Sequence, residues 1–442
     1  MKTRIKPDDT ILFVTLGCSK NVVDSERLMS QLAAHGLKVA HERDDAKART
    51  VIINTCGFIL DAKKESIDTI LSYVKAKKQG RIDNLFVMGC LSERYANELR
   101  QEIPEVDQYF GANSLKPIVE SLGYNYQENL LGERWLTTPS HYAFFKISEG
   151  CNRTCAFCAI PSMRGKYQSF PIEQLVNEAR LLAAKGVKEL IVIAQDTSNY
   201  GYDLYRKSQL SHLIQKISEV DGIEWIRLHY MYPVDFPDDL LEVIKNNPKV
   251  CKYIDMPVQH ISDNVLARMR RGHTREHLVE LIDRIRQTIP GICLRTTFLV
   301  GFPGETDEDF EELCRFVETA QFDRAGVFTY SHEENTYAGN NYSDHIPYSI
   351  KKKRADQLMA IQQKVSEKKN EQKIGQTLKV IVDRMEDEFF IGRTEFDSPE
   401  VDNEVLIKKQ AGIQVGNFYS VKITDADAFD LWGEITNYRL FK

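Results

Sequence analysis

Three thiols stand close together in Glu149-Gly150-Cys151-Asn152-Arg153-Thr154-Cys155-Ala156-Phe157-Cys158, at Cys151, Cys155 and Cys158. Thiolates are soft ligands for zinc and for iron–sulfur clusters, and three of them are one short of a closed site. A zinc site ordinarily takes four ligands, yet neither a fourth cysteine nor a histidine lies nearby in the sequence. A cubane cluster held by three thiolates instead keeps one bare iron, on which a small molecule can bind. A zinc knuckle, or cysteines that are simply buried, are the alternatives.

A second set, Cys18, Cys56 and Cys90, is too widely spaced for spacing to mean anything. The elements around it give it meaning. Short apolar, β-rich runs at 11–17, 51–54 and 85–89 each precede a helical stretch, at 24–34, 62–76 and 93–100, the pattern of a parallel sheet wrapped by helices. Loops at the carboxyl ends of such strands gather along one edge, and each of the three cysteines sits at such an end. Glycine beside each one lets the backbone come close to a bound group. The competing reading is three unrelated small buried residues.

The strand–helix rhythm resumes with strands expected at 142–147, 189–194, 224–229, 253–257, 292–301 and 324–330. Between them, 171–184 carries one apolar face made by Leu175, Val176, Ala179, Leu182 and Ala183. Six units predict an α/β fold of the incomplete-barrel kind, with its chemistry at the carboxyl ends of the strands. A charged helical stretch at 350–373 leads into five short strands, at 378–383, 389–394, 404–407, 418–423 and 431–438, which predict a small antiparallel β-barrel. The expected domains are 1–125, 137–370 and 373–442.

The composition, 42% hydrophobic and 28% charged over 442 residues, is that of a globular chain. No apolar run approaches a membrane span, and the apolar stretch near the start is too short for a secretory core. Nine cysteines without a secretory signal favour metal or redox chemistry in a reducing cytoplasm over a disulfide framework. A net charge of −6 argues against whole-molecule capture of nucleic acid, so direct nucleic-acid binding is not expected. Residues 371–442 hold nine Lys plus Arg against fourteen Asp plus Glu, a surplus suited to docking on a basic protein or, more blandly, to a solvated face.

The Cys151, Cys155, Cys158 spacing resembles the radical S-adenosylmethionine superfamily. Gly17-Cys18-Ser19-Lys20-Asn21, Asn54-Thr55-Cys56-Gly57-Phe58 and Met88-Gly89-Cys90-Leu91 resemble the amino-terminal cluster domain of its methylthiotransferases. The likeness covers the whole chain, ending in a TRAM-type barrel. It implies that Cys151, Cys155 and Cys158 hold one four-iron four-sulfur cluster, whose open iron takes S-adenosylmethionine, and that Cys18, Cys56 and Cys90 hold a second cluster nearby. One S-adenosylmethionine then gives a methyl group to sulfur and another gives the radical that removes hydrogen from carbon, with electrons from a donor such as flavodoxin. Phe157 resembles the aromatic residue packed near the adenine. Gln195, Asp196 and Arg295 occupy places where the superfamily contacts S-adenosylmethionine.

One branch of this family modifies an adenosine beside the tRNA anticodon and another an aspartate of small-subunit ribosomal protein S-twelve. Ala159-Ile160-Pro161-Ser162-Met163-Arg164-Gly165, Leu228-His229-Tyr230-Met231-Tyr232-Pro233 and Met256-Pro257-Val258-Gln259-His260-Ile261-Ser262-Asp263 resemble the second branch. Radical chemistry suits that substrate, because the β carbon–hydrogen bond of an ionised aspartate is too weakly acidic for a side-chain base. No catalytic residue is assigned beyond the cluster ligands.

Other segments read more plainly. Gly301-Phe302-Pro303-Gly304-Glu305-Thr306 lacks the Lys-Ser or Lys-Thr of a phosphate loop, and Thr306 with Asp309 reads as a helix start. Cys251, Cys293 and Cys314 read as small core residues. His229 and His260 are read either as substrate contacts or as satisfied core polar groups, while Tyr230 and Tyr232 are expected to pack.

Overall fold

The computed structural model describes residues 10–42 and 48–437. The outer ends of the first and last expected domains, including Tyr438 of the last expected strand, lie outside the described residues.

The first unit is a five-stranded, wholly parallel sheet in the order β2-β1-β3-β4-β5, with β1 Thr10–Thr15, β2 Lys38–His41, β3 Ala48–Thr55, β4 Asn84–Gly89 and β5 Gln108–Tyr109. Alternation along the strands explains its two-sided core. Val51, Ile53, Leu85 and Val87 go to one face, Ile52, Phe86 and Met88 to the other. The helix Leu60–Lys78 covers the first face with Ile70 and Val74, and the helix Ser19–Ala34 covers the second with Leu28, Met29 and Leu32. The helix expected at 93–100 is two, Cys90–Arg94 and Ala96–Glu102, broken where Tyr95 leaves helical geometry.

The second unit is an open six-stranded parallel sheet with β6 Tyr142–Lys146, β9 Glu189–Ile193, β10 Trp225–Leu228, β11 Val250–Asp255, β12 Cys293–Val300 and β13 Arg324–Thr329, in the order β13-β12-β11-β10-β9-β6. A two-stranded ribbon, β7 Ser148–Glu149 with β8 Gln168–Ser169, frames the cysteine loop. Ala143, Phe145, Leu190 and Val192 face outward into the helical layer, whereas Tyr142, Ile191 and Ile193 face inward. Val23 of the first unit packs on that inner face, so the first unit sits over the interior of the partial barrel.

The third unit is a closed five-stranded barrel of β14 Thr377–Glu386, β15 Phe389–Thr394, β16 Val405–Lys408, β17 Phe418–Ala426 and β18 Leu431–Asn437, reached through the long helix Tyr348–Glu371. Four pairings are antiparallel, but β16 and β18 run parallel because β18 returns between β16 and β17. The barrel closes the amino-terminal end of the central sheet. Ile381 and Phe418 pack on Trp225, Cys251, Tyr253 and Cys293, and buried ion pairs join Arg393 to Glu189 (2.8 Å) and Arg324 to Asp397 (2.6 Å). The acidic surplus of residues 371–442 is therefore not a free docking face throughout. Asp383, Asp397 and Asp402 are committed to arginines within the molecule. Cys251, Cys293 and Cys314 are buried, as expected of core residues.

Candidate functional site

Glycine permits the three loops at the carboxyl ends of β1, β3 and β4 to touch. At Gly17 (φ +91°) a Cβ would lie 2.6 Å from Cys56 Cβ and 2.9 Å from its Sγ, and at Gly57 one would lie 3.0 Å from the Cys90 carbonyl carbon. The loops of Cys18, Cys56 and Cys90 are thus packed against one another, with Cys56 and Cys90 buried and Cys18 exposed at the N-cap of the helix Ser19–Ala34. Burial pushes the Cys90 thiol up to about 12, while the Arg164 guanidinium, whose Nε donates to its sulfur at 3.2 Å, pulls the other way. A buried thiol so placed gives up its proton when a metal or cluster supplies the compensating charge.

The second cysteine loop follows the ribbon strand Ser148–Glu149. Gly150 (φ +76°) lies so close to the Lys166 carbonyl that a Cβ would come within 2.2 Å of it. Every thiol there faces a donor. Arg153 N–H reaches Cys151 Sγ at 3.4 Å, Ile160 N–H reaches Cys158 Sγ at 3.5 Å, and Arg271 Nη1 reaches Cys155 Sγ at 3.2 Å, with Tyr232 Oη 3.7 Å from the same sulfur. Donors aimed at sulfur favour the thiolate and tune a cluster bound to it. Among the described residues, no three His, Cys, Asp or Glu side chains converge closely enough to hold one metal ion. A cubane takes each thiolate on a different iron, so its ligands need not converge in that way.

Of the other residues singled out by sequence, Gln195 donates to Glu149 Oε1 at 2.8 Å and leaves its own buried Oε1 without a partner, which fits a polar ligand beside the loop. Asp196 accepts from Arg153 Nε of the cysteine loop at 2.8 Å and from Ser198. Phe157 is half-buried and meets Phe302 edge-on at 6.4 Å. Arg295 is placed differently: its two described partners are Asp255 at 3.0 Å and Asp402 of the terminal unit at 3.1 Å. His229 and His260 are buried, the first against Ser398 Oγ at 2.9 Å and the second accepting Ser262 N–H at 3.1 Å.

Comparison with known proteins places these units in a family. Residues 145–317 match the radical SAM superfamily, 10–111 the uncharacterized protein family UPF0004, and 374–436 the TRAM domain. The ribosomal protein uS12 methylthiotransferase RimO of Bacteroides fragilis is 54% identical over 96% of this chain and 99% of its own length. Its counterpart in Christiangramia forsetii is 53% identical over 99% of this chain and 96% of its own. The chain belongs to the RimO family. A solved radical S-adenosylmethionine methyltransferase, TsrM of Kitasatospora setae, shares the fold with a TM-score of 0.56 at 15% identity, over 75% of this chain and 77% of that one.

In this RimO-family chain the two cysteine sets are joined by a buried network that residue spacing did not reveal. Arg164, from the end of the short helix Ile160–Arg164, donates to Cys90, pairs with Asp24 at 2.6 Å and with Glu149 at 3.3 Å, and donates to Asn21. Lys146 pairs with Glu149 at 2.7 Å and also with Asp24. Although burial works the other way, Lys146 and Arg164 hold the Glu149 carboxyl down at about 2. Farther along the same boundary, buried Arg134 bridges Glu26 of the first unit and Glu178 of the second. The sequence did carry one signal, since Arg164 falls within the family-like segment 159–165 and Asn21 and Glu149 flank the cysteines. Nothing in the sequence paired them.

Proposed function

We propose that this chain inserts a methylthio group at the β-carbon of an aspartate in ribosomal protein uS12, the protein for which its relatives are named. In this reading Cys151, Cys155 and Cys158 hold the four-iron four-sulfur cluster implied by the radical SAM superfamily, and Cys18, Cys56 and Cys90 hold a second. The observation that carries it is Arg164, which touches Cys90 while pairing with Glu149, two residues before Cys151. Both cysteine sets thereby flank one network.

When bound, S-adenosylmethionine supplies both the methyl group and the hydrogen-abstracting radical. The residues of the chain bind, orient and exclude water. Arg271, Tyr232 and the loop amides hold the thiolates. The free Oε1 of Gln195, and Phe157 braced on Phe302, offer a polar and an apolar contact for S-adenosylmethionine. Val23 on Ile191 and Ile193 helps to close the interior against water. The reductant is an electron carrier such as flavodoxin, and the compartment is the cytoplasm, where thiols stay reduced.

Two measurements test this. Mass spectrometry of uS12 from cells lacking the chain should show the methylthio group gone, with methylthio-adenosine in bulk tRNA retained; an unchanged uS12 mass overturns the substrate. Iron and sulfide analysis of anaerobically purified Cys18→Ala and Cys151→Ala should each show about one cluster lost of two. Full iron in Cys18→Ala overturns the second cluster.

A further inference from the structure

Lys20 lies two residues beyond Cys18, in the first turn of the helix Ser19–Ala34, and is only 7% exposed. Its ammonium stands 3.1 Å from the centre of the Tyr230 ring, across the boundary between the first and second units. Among the described residues no carboxylate pairs with it. Its neighbours differ in this respect, since Lys146 and Arg164 pair with Asp24 and Glu149, and Arg153 pairs with Asp196. A buried cation without an anion is costly, and an aromatic face offsets part of that cost.

The helix turn around Lys20 is also unfinished. It has no acidic residue and no side-chain cap, and the buried Ser19 Oγ has no partner. The helix dipole adds positive potential at the same spot. Tyr230, on the other side, holds φ at +60°, a left-handed conformation costly for a bulky residue. Its N–H donates to Asp255 Oδ2 at 3.1 Å and its carbonyl accepts from Thr197 N–H at 3.1 Å, which hold its backbone in that conformation. An unpaired cation, an open helix start and a strained aromatic residue thus meet at one point.

We infer that Lys20 is the counter-charge that receives the carboxylate of the substrate aspartate, with Tyr230 positioning the ammonium. This rests on the aspartate reading given above. That carboxylate is attached to the reacting carbon, so holding it beside the Cys18 loop brings the carbon to the second cysteine set. The neutral adenine ring bears no anion on its reacting carbon, whereas the aspartate bears its carboxylate there, so the same contact favours an aspartate over a nucleobase. An asparagine in place of the aspartate keeps the shape and loses the charge.

The test uses reconstituted protein and two uS12 peptides spanning the modified position, one with the substrate aspartate and one with asparagine there, with binding followed by fluorescence anisotropy. The parent should prefer the aspartate peptide by about 30-fold or more, the range for truncating one partner of a buried charge pair. Lys20→Met and Lys20→Gln should bind both peptides alike, with the asparagine affinity unchanged, and Lys20→Arg should restore part of the preference. Iron content equal to the parent's serves as the folding control. A parent without preference, variants that keep it, or variants that weaken both peptides equally would each overturn the inference. So would an intact preference accompanied by a shifted potential of the second cluster, which would make Lys20 a partner of that cluster. A parent that does not methylthiolate uS12 at all overturns the functional reading instead.

Discussion

His229 and His260 are uncharged in the folded protein, because burial pushes both down to about 3. An exposed imidazole titrates near 6.5, so the unfolded chain binds the extra protons between those values. The stability associated with the neutral rings is fully present above about pH 6.5 and is lost as pH falls toward 3, at about 1.4 kcal/mol per histidine per pH unit. His260 serves as the probe: its Nδ1 accepts Ser262 N–H, and its buried Nε2 lies 3.8 Å from the Glu305 carboxylate, which burial raises to about 7 and which parent and variant share. Urea unfolding at pH 7.5 and 5.5 should show that His260→Gln loses about 1 kcal/mol less than the parent between the two. Equal losses would mean that His260 is not buried neutral. At this scale, residue type was legible and partnership was not. The six cysteines stand out by spacing or by strand end, but Glu26 and Arg27 look like ordinary helix charges, and only a docked neighbour reveals that they meet Arg134 and Glu178. No periodicity specifies which charges face each other across a domain boundary.

Secondary elements were readable in proportion to how deeply they are buried. β3 and β4 alternate between two apolar faces and could be read directly, whereas β2 is a short edge strand with partly exposed residues and β5 has two residues, so neither gives a pattern. The start of the helix Asp307–Ala320 was legible for a different reason, local hydrogen-bond chemistry. Thr306 Oγ1 accepts Asp309 N–H at 3.2 Å, and the Asp309 carboxylate accepts Thr306 N–H at 3.0 Å. Asp309 also receives Asn264 at 2.8 Å and Ser262, tying this helix start to the start of the helix Asp263–Arg268. Thr306→Ala should therefore cost about 1 kcal/mol in denaturant unfolding, the usual worth of an N-cap. Asp309→Ala should cost more, because it strands the Ser262 and Asn264 donors too. The reverse order would show that the cap, not the tie between segments, dominates.

Where the sequence suggested a docking surface, buried charges join the apolar packing of the barrel on the central sheet. The acidity of the terminal barrel counts as a net property in the sequence, but Arg393 joins Asp383 of its own barrel (2.6 Å) to Glu189 of the central sheet, and Glu189 also takes Arg227 at 2.7 Å. Composition records the charges and not their direction, so the interface was invisible until the units were docked. Arg393→Met should leave Asp383 with His141 and Glu189 with Arg227 alone, and a buried pair broken on one side costs about 3 to 5 kcal/mol. Trp225 can report where that loss falls, since its ring stacks edge-on against Phe418 of the barrel at 4.8 Å. In a background with Trp135→Phe and Trp432→Phe, its emission in the parent should change together with far-ultraviolet circular dichroism, as one cooperative unit. In Arg393→Met the emission should shift at lower urea than the dichroism, because the interface opens before the central sheet melts. Coincident curves in the variant, moved together to lower urea, would mean instead that the apolar cluster shared by Trp225, Ile381 and Phe418 is enough to make the barrel and the central sheet unfold as one. The charges at their boundary would then stabilise the fold without acting as the point where it parts.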